Sequence, residues 1–386
     1  MRELDAEALC RTFSAWSHTV SLLFAQLTGA LGLNDVCDSL RLHCGPLSAI
    51  RGATPPSRNN LSHANKRRPA ALAEKLFWSV LEHLQRQSPS FGQGSSGKRL
   101  AARFRKTIHV IDATTIQLIA SCMDWAKHRR RKAAAKCHLR LDMRSQLPRF
   151  AIISTASESD ARRARELCAG IQEGEITLFD RGYVDFAHLF ELDQRGVFWV
   201  TRAKEHLACQ VVQRRQIQRE GNILRDEEVV LSGPLSKKKY PVRMRRVQAQ
   251  VLVDGELRVM VFLTNNLEWA ASSVAELYRC RWQIEIFFKQ IKQTLQLSDF
   301  LGNSSNAVHW QLWTAMLCYV LLRYLGFLGR WAGSFTRLWA VVRSTLWQRL
   351  DLRALLESCG TAGGSFRVFG QPEQAWFPGF RLKPVG

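Results

Sequence analysis

Acidic residues are the scarce class in this sequence: 33 Asp and Glu stand against 55 Lys and Arg, leaving a formal charge of +22. A packed core does not require such an imbalance, so it points to a polyanionic partner. The ten cysteines include no C-x-x-C pair and no cysteine–histidine cluster with zinc spacing. Cys37, His43 and Cys44 come nearest, and reduced thiols with no zinc site are expected. A signal peptide is also missing, since MRELDAEALC sets acids where a basic n-region and an apolar h-region would stand. A cytoplasmic protein is therefore expected. No apolar run is long and clean enough for a membrane partner: Gln311–Leu328 is interrupted by Arg323 and reads as a buried helix.

What is present suits a large globular core, with 46% hydrophobic residues over 386 positions and room for two or three domains. The basic residues are spread along the chain, which favours a nucleic-acid footprint over a lipid anchor. Residues 1–84 alternate helical patterns with a polar connector, Ser57–Pro69, whose Arg58, Lys66, Arg67 and Arg68 suit a helical DNA-binding domain. Residues 85–104 are rich in Gly, Ser and Gln and read as a linker.

Strand patterns follow at Thr107–Asp112, Cys137–Asp142, Phe150–Ser154, Ile176–Asp180 and Val197–Thr201, with helices at Ser157–Cys168 and Asp185–Gln194. Residues 105–205 thus read as the first part of an α/β (mixed α+β) domain, and 264–330 as its second part. Between them, 206–263 is a β-rich insertion interrupted by a basic turn, SGPLSKKKYP. Residues 331–386 carry Trp331, Trp339 and Trp347 at a spacing that keeps no helical face, and give no role.

Ala271–Leu297 contains neither Pro nor Gly and opens on Ser272 and Ser273, predicting one long helix. With Tyr278 at zero, Arg281, Glu285, Lys289 and Lys292 fall at about 300°, 340°, 20° and 320°. Leu277, Ile284, Phe287, Phe288, Ile291 and Leu295 form a separate apolar face. One edge of the helix thus presents a carboxylate flanked by cations. Ordinary i,i+4 ion pairs on a solvated face would give the same pattern.

Asp112 and Asp180 stand at the ends of predicted buried strands, where an unpaired charge is costly and a divalent cation or a nearby Arg is a natural partner. Asp142 and Asp185 are alternatives of the same kind. Two Asp and one Glu supply the hard oxygen ligands that magnesium takes, and phosphoryl transfer on DNA gains from two such ions about 3.5–4 Å apart.

The segment Tyr278-Arg-Cys-Arg281-Trp-Gln-Ile-Glu285-Ile-Phe-Phe-Lys-Gln-Ile-Lys292 completes a Tyr-x2-Arg-x3-Glu-x6-Lys signature. With Val110-Ile-Asp112-Ala-Thr, Phe179-Asp180-Arg-Gly-Tyr183 and the opening from Phe13 to Pro69, it resembles the DDE transposases of bacterial insertion sequences. The resemblance implies a ribonuclease H-like catalytic domain with a β-rich insertion, and Asp112, Asp180 and Glu285 as the catalytic residues holding two Mg2+ ions, with Mn2+ able to substitute. It implies Tyr278, Arg281 and Lys292 as binders of phosphates beside the cut; Lys289, on the same stripe, and Arg181, beside Asp180, are further candidate DNA contacts. The partners would be double-stranded transposon ends and target DNA, and a second copy of the chain in a synaptic dimer. Related enzymes with this signature can pass through a DNA hairpin with a flipped base stacked on an aromatic, for which Trp199 and Trp282 are candidates. A ribonuclease H-like nuclease or resolvase without strand transfer is the alternative.

Overall fold

The computed structural model describes residues 13–92, 104, 106–118, 122–129, 132–156, 159–217, 221–253, 255–295, 300–348, 351, 355, 356 and 359. The opening residues 1–12, the stretch 93–103 of the expected linker, Ser157 at the start of an expected helix and residues 360–386 lie outside them.

One ten-stranded mixed sheet organises the chain. Its strands are β1 (Ile108–Leu118), β2 (Lys127–Arg129), β3 (Lys132–Asp142), β4 (Pro148–Thr155), β5 (Ile176–Phe179), β6 (Phe198–Arg202), β7 (Cys209–Arg214), β8 (Ile223–Leu231), β9 (Met244–Val253) and β10 (Glu256–Thr264). The order is β2-β3-β1-β5-β6-β10-β9-β8-β7, with β4 also paired to β3. At its centre β1, β5 and β6 run parallel, and β3 and β10 flank them antiparallel. All four residues of β5 are buried, as a central parallel strand covered on both faces requires. The β-rich segment is not separate from this sheet. It extends it as an antiparallel meander hydrogen-bonded to β6 through β10.

Among the described residues five helices precede the sheet: α1 (Ala15–Thr28), α2 (Leu33–Leu42), α3 (Cys44–Ser48), α4 (Arg58–Arg67) and α5 (Ala71–Gln87). The short α6 (Met123–Ala126) follows β1, α7 (Asp160–Leu167) precedes β5, and α8 (Phe186–Gln194) joins β5 to β6. Then come α9 (Pro234–Lys239), α10 (Ala271–Cys280), α11 (Trp282–Thr294), α12 (Ser305–Leu328) and α13 (Phe335–Ser344).

Three local expectations are corrected. The polar connector at Ser57–Pro69 is largely helical: Ser57 caps α4 by accepting from the Asn60 amide, and Leu61, Ala64 and Asn65 form a narrow buried face. Such a cap contributes about 1 kcal/mol, enough to start a helix whose composition is otherwise polar. The basic turn contains α9, with Pro234 at its first turn, where a missing amide costs nothing. The single helix over Ala271–Leu297 is two helices, broken at Arg281.

Strand parity assigns the faces. Val110, Leu178 and Val200 lie in register across β1, β5 and β6 and point into one core, with Phe287 and Phe288 of α11. Ile111, Phe179 and Trp199 point into the other, beneath α7 and α8. The larger core continues through α12 into the N-terminal helices, where Phe77 packs on Trp313 and the indole of Trp310 donates to the Arg68 carbonyl. By length and composition α12 could cross a membrane, yet it is buried nearly all round, as a core helix is. Trp347 stacks on His43 and packs on Phe24, docking the segment after α13 onto α1 and α2. The nine described cysteines are free, and among the described residues no histidine, cysteine and carboxylate group gathers at Cys37 and Cys44.

Candidate active site

Alternation along the strands puts Asp112 and Asp180 on one face. Both continue the even-numbered series, Val110 and Leu178, that points toward α10 and α11. Ile111 and Phe179 are partners in the β1–β5 ladder, so the two carboxylates leave adjacent parallel strands at the same level. Across this point lie α10 and α11, and the signature residues reach down from them.

Each acid is held by one of those residues. The Tyr278 hydroxyl donates to Oδ1 of Asp180 at 3.1 Å. The Arg281 guanidinium donates through Nη1 to Oδ2 of Asp112 at 2.9 Å and through Nη2 to Oε1 of Glu285 at 2.6 Å. The Lys292 ammonium donates to the Thr115 carbonyl on β1 at 2.8 Å. Lys289 and Lys292 line a cleft of about 440 Å³ with Asp112, Thr114, Glu285 and Phe288. The helix break keeps Tyr278, Arg281 and Glu285 on one side because it occupies a single residue in right-handed helical conformation.

Burial governs the charges. It pushes the Asp112 carboxyl up to about 6; Arg281 and the Ala113 amide pull it down, while Asp180 and Glu285 push it further up. Burial opposes the charge on Arg281, but Tyr278, Asp112 and Glu285 together outweigh it and hold the guanidinium above its ordinary value. The Tyr278 phenol is pushed up to about 12 by burial first, then by Asp180. Partial desolvation lowers the Lys292 ammonium. The Tyr278 ring rests on Phe262 of β10 at 4.9 Å, so the β-rich segment braces the site.

The competing acids have other work. Asp142 closes the β3–β4 turn, accepting from the Arg144 and Ser145 amides and from Arg149. Asp185 caps α8 by accepting from the Ala187 amide.

Residues 103–321 match the family model described as a transposase DDE domain. Residues 1–50 match a second model, a domain of unknown function (DUF4372). A Sinorhizobium fredii protein named as a transposase, y4zB, is 33% identical over 303 residues, covering 78% of this chain and 80% of that one. The transposase named for insertion sequence element IS5377 of Geobacillus stearothermophilus is 24% identical over 267 residues, covering 69% and 67%. Transposase InsG for IS4 of Escherichia coli is 24% identical over 192 residues, covering 48% and 42%.

The chain belongs to the DDE transposases. The ribonuclease H-like fold expected of that family is the mixed sheet described above, with helices on both faces. DDE transposase domains in general depend on divalent metal ions.

Other predicted residues lie elsewhere in the transposase. Arg58, Lys66 and Arg67 are exposed on α4. Arg68 is half-buried: its guanidinium donates to the carbonyls of Phe13 and Ser14 and lies 5.2 Å from the Phe13 ring, so it ties down α1. Arg181 is exposed and paired with Glu205 at 3.1 Å. Trp199 is a correction to the stacking candidates, because it is fully buried and cannot meet a base. Trp282, next to Arg281, is 50% exposed.

The sequence reading missed a polar cluster behind the Asp180 loop. Tyr183 shares a 3.1 Å hydrogen bond with His138, and Lys136 pairs with Asp160 at 2.6 Å. A side chain on Gly182 would meet Asp160 at 3.2 Å, so glycine lets the loop close on α7. The available signal was His138 itself, an ionisable residue inside an alternating strand.

Proposed function

We propose that this transposase binds the inverted-repeat ends of its own insertion sequence, cuts them by metal-dependent phosphoryl transfer to free 3′-OH ends, and joins those ends to target DNA. The observation that carries this reading is the meeting of Asp112, Asp180 and Glu285 with Tyr278, Arg281 and Lys292 over two adjacent parallel strands.

Asp112, Asp180 and Glu285 would hold two Mg2+ ions, for which Mn2+ can substitute. The donor set fits: three carboxylates supply hard oxygen ligands, and two of them already share one cationic group. Among the described residues no three His, Cys, Asp or Glu side chains already stand close enough to hold a metal ion, so these three would have to draw together around one. When bound, such ions activate the attacking oxygen and stabilise the leaving one. Tyr278 orients Asp180 through its hydroxyl. Lys289 and Lys292 line the cleft wall and supply positive charge to the phosphate being cut.

DNA outside the cleft would meet Arg58, Lys66 and Arg67 on α4. Arg181 would join once a phosphate displaces Glu205, an exchange with little cost because an exposed ion pair contributes only about 0–1 kcal/mol. Trp282 is the available platform for an unstacked base. Pairing two ends calls for a second copy of the chain, acting on bacterial DNA in the cytoplasm.

The test is Glu285→Gln with labelled transposon ends. Binding kept and cleavage lost supports the reading; cleavage at the wild-type rate overturns the triad. Pre-cut 3′-OH ends supplied with target DNA then separate a transposase from a nuclease, which would give no joined product.

A further inference from the structure

Arg281 does more than border the acidic site. Its guanidinium lies between Asp112 and Glu285 and bonds to both, with only 12% of its side chain exposed. On Asp112, Oδ1 is engaged by the Ala113 amide at 2.8 Å, so Oδ2 is the freer oxygen, and Arg281 holds it. Two carboxylates brought this close in a partly buried site repel one another unless a cation stands between them.

We infer that Arg281 is the internal counter-cation of the metal-free transposase: it bridges Asp112 and Glu285 until a divalent ion takes those oxygens, and is then released toward the DNA phosphate in the cleft. The inference rests on the proposed reading that Asp112 and Glu285 are metal ligands. A guanidinium and a metal ion on the same carboxylate oxygens repel each other and compete for their lone pairs. Binding of one therefore opposes the other, and by reciprocity whatever draws Arg281 away strengthens metal binding.

The backbone at this residue suits a side chain that changes partner. The Arg281 amide donates to the Tyr278 carbonyl at 3.0 Å and its carbonyl accepts from Ile284 at 3.2 Å, both i to i+3 bonds at the joint between α10 and α11. The helical ladder is already interrupted there, so a swing of the side chain breaks no regular turn. The Nε atom is buried without a hydrogen-bond partner, so the bridging position leaves one donor unmet.

The test measures Mn2+ binding to the full-length protein by the electron paramagnetic resonance of free Mn2+, without reference to activity. Arg281→Gln removes the internal competitor and is expected to bind Mn2+ about tenfold more tightly than wild type, within the usual range of coupling between sites. Arg281→Lys keeps a charge that reaches one carboxylate only and should fall between the two; it also serves if the Gln variant does not fold by circular dichroism. Equal or weaker Mn2+ binding by the folded variant overturns the inference and makes Arg281 an organiser of the ligands. Asp112→Asn and Glu285→Gln should both lose Mn2+. If they bind it as wild type does, the metal reading itself fails, whatever the Arg281 variants do.

Discussion

The Tyr278 hydroxyl donates to Asp180 across 98 residues of sequence and fixes one of its two oxygens. The same ring packs on Phe262 at 4.9 Å and meets the Arg281 guanidinium at 5.6 Å, contacts that limit its freedom to turn away. Asp180 is thereby aimed before any ligand arrives.

Tyr278→Phe keeps the ring and removes the donor. Stability should fall by about 1 kcal/mol, the net worth of one hydrogen bond, read as a lower urea midpoint at unchanged slope. End cleavage should slow by about tenfold while binding of uncut ends is little changed, since Asp180 loses its orientation and no cation is removed. Cleavage at the wild-type rate would take Tyr278 out of the machinery.

Trp282 and Trp199 should separate cleanly. Trp282→Ala removes an exposed ring, so the fold stays within about 0.5 kcal/mol of wild type. If a base stacks on it, that contact is worth about 1–3 kcal/mol, and 2-aminopurine placed at the transposon end should be quenched by the wild type and not by the variant. Trp199→Ala should instead cost about 3–5 kcal/mol through the cavity it leaves. Equal quenching by wild type and Trp282→Ala would assign the stacking role elsewhere.

How far the sequence could go is clearest at these residues. Glu285 was legible because a polar helical stripe is a local pattern, whereas Asp112 and Asp180 were preferred to Asp142 and Asp185 through the resemblance, and Asp112 lies within β1 rather than at its end because the strand runs on to Leu118. The break at Arg281 was not legible: no residue near it is a helix breaker, and of the two carboxylates its side chain meets, Asp112 lies 169 residues away. Trp199 was ambiguous because a central parallel strand is covered on both faces and alternation carries no inside or outside. Arg68 looked like a DNA contact since its charge is visible, whereas its partners, the carbonyls of Phe13 and Ser14, lie 55 and 54 residues away. α4 was hidden by its polar composition, its buried face being only Leu61, Ala64 and Asn65.

The junction between the N-terminal helices and α12 should be acid-sensitive through His18. Its ring is fully buried against Trp310 at 4.4 Å, and Nε2 donates to Asn65 at 2.8 Å. Burial lowers its pKa to about 3; the Asn65 bond opposes that shift and Arg68 adds to it. The unfolded chain would take up the proton near pH 6.5, whereas the folded one resists until about 3. The His18 contribution to stability is therefore complete above about pH 6.5 and declines as the pH falls toward 3. His18→Gln, which cannot titrate, should show a flatter loss of urea midpoint between pH 6.5 and 4 than wild type. His109 and His188, also lowered by burial, act with the same sign in both proteins, so the difference between the two curves isolates His18. Parallel curves would show that His18 does not drive the acid sensitivity of this junction.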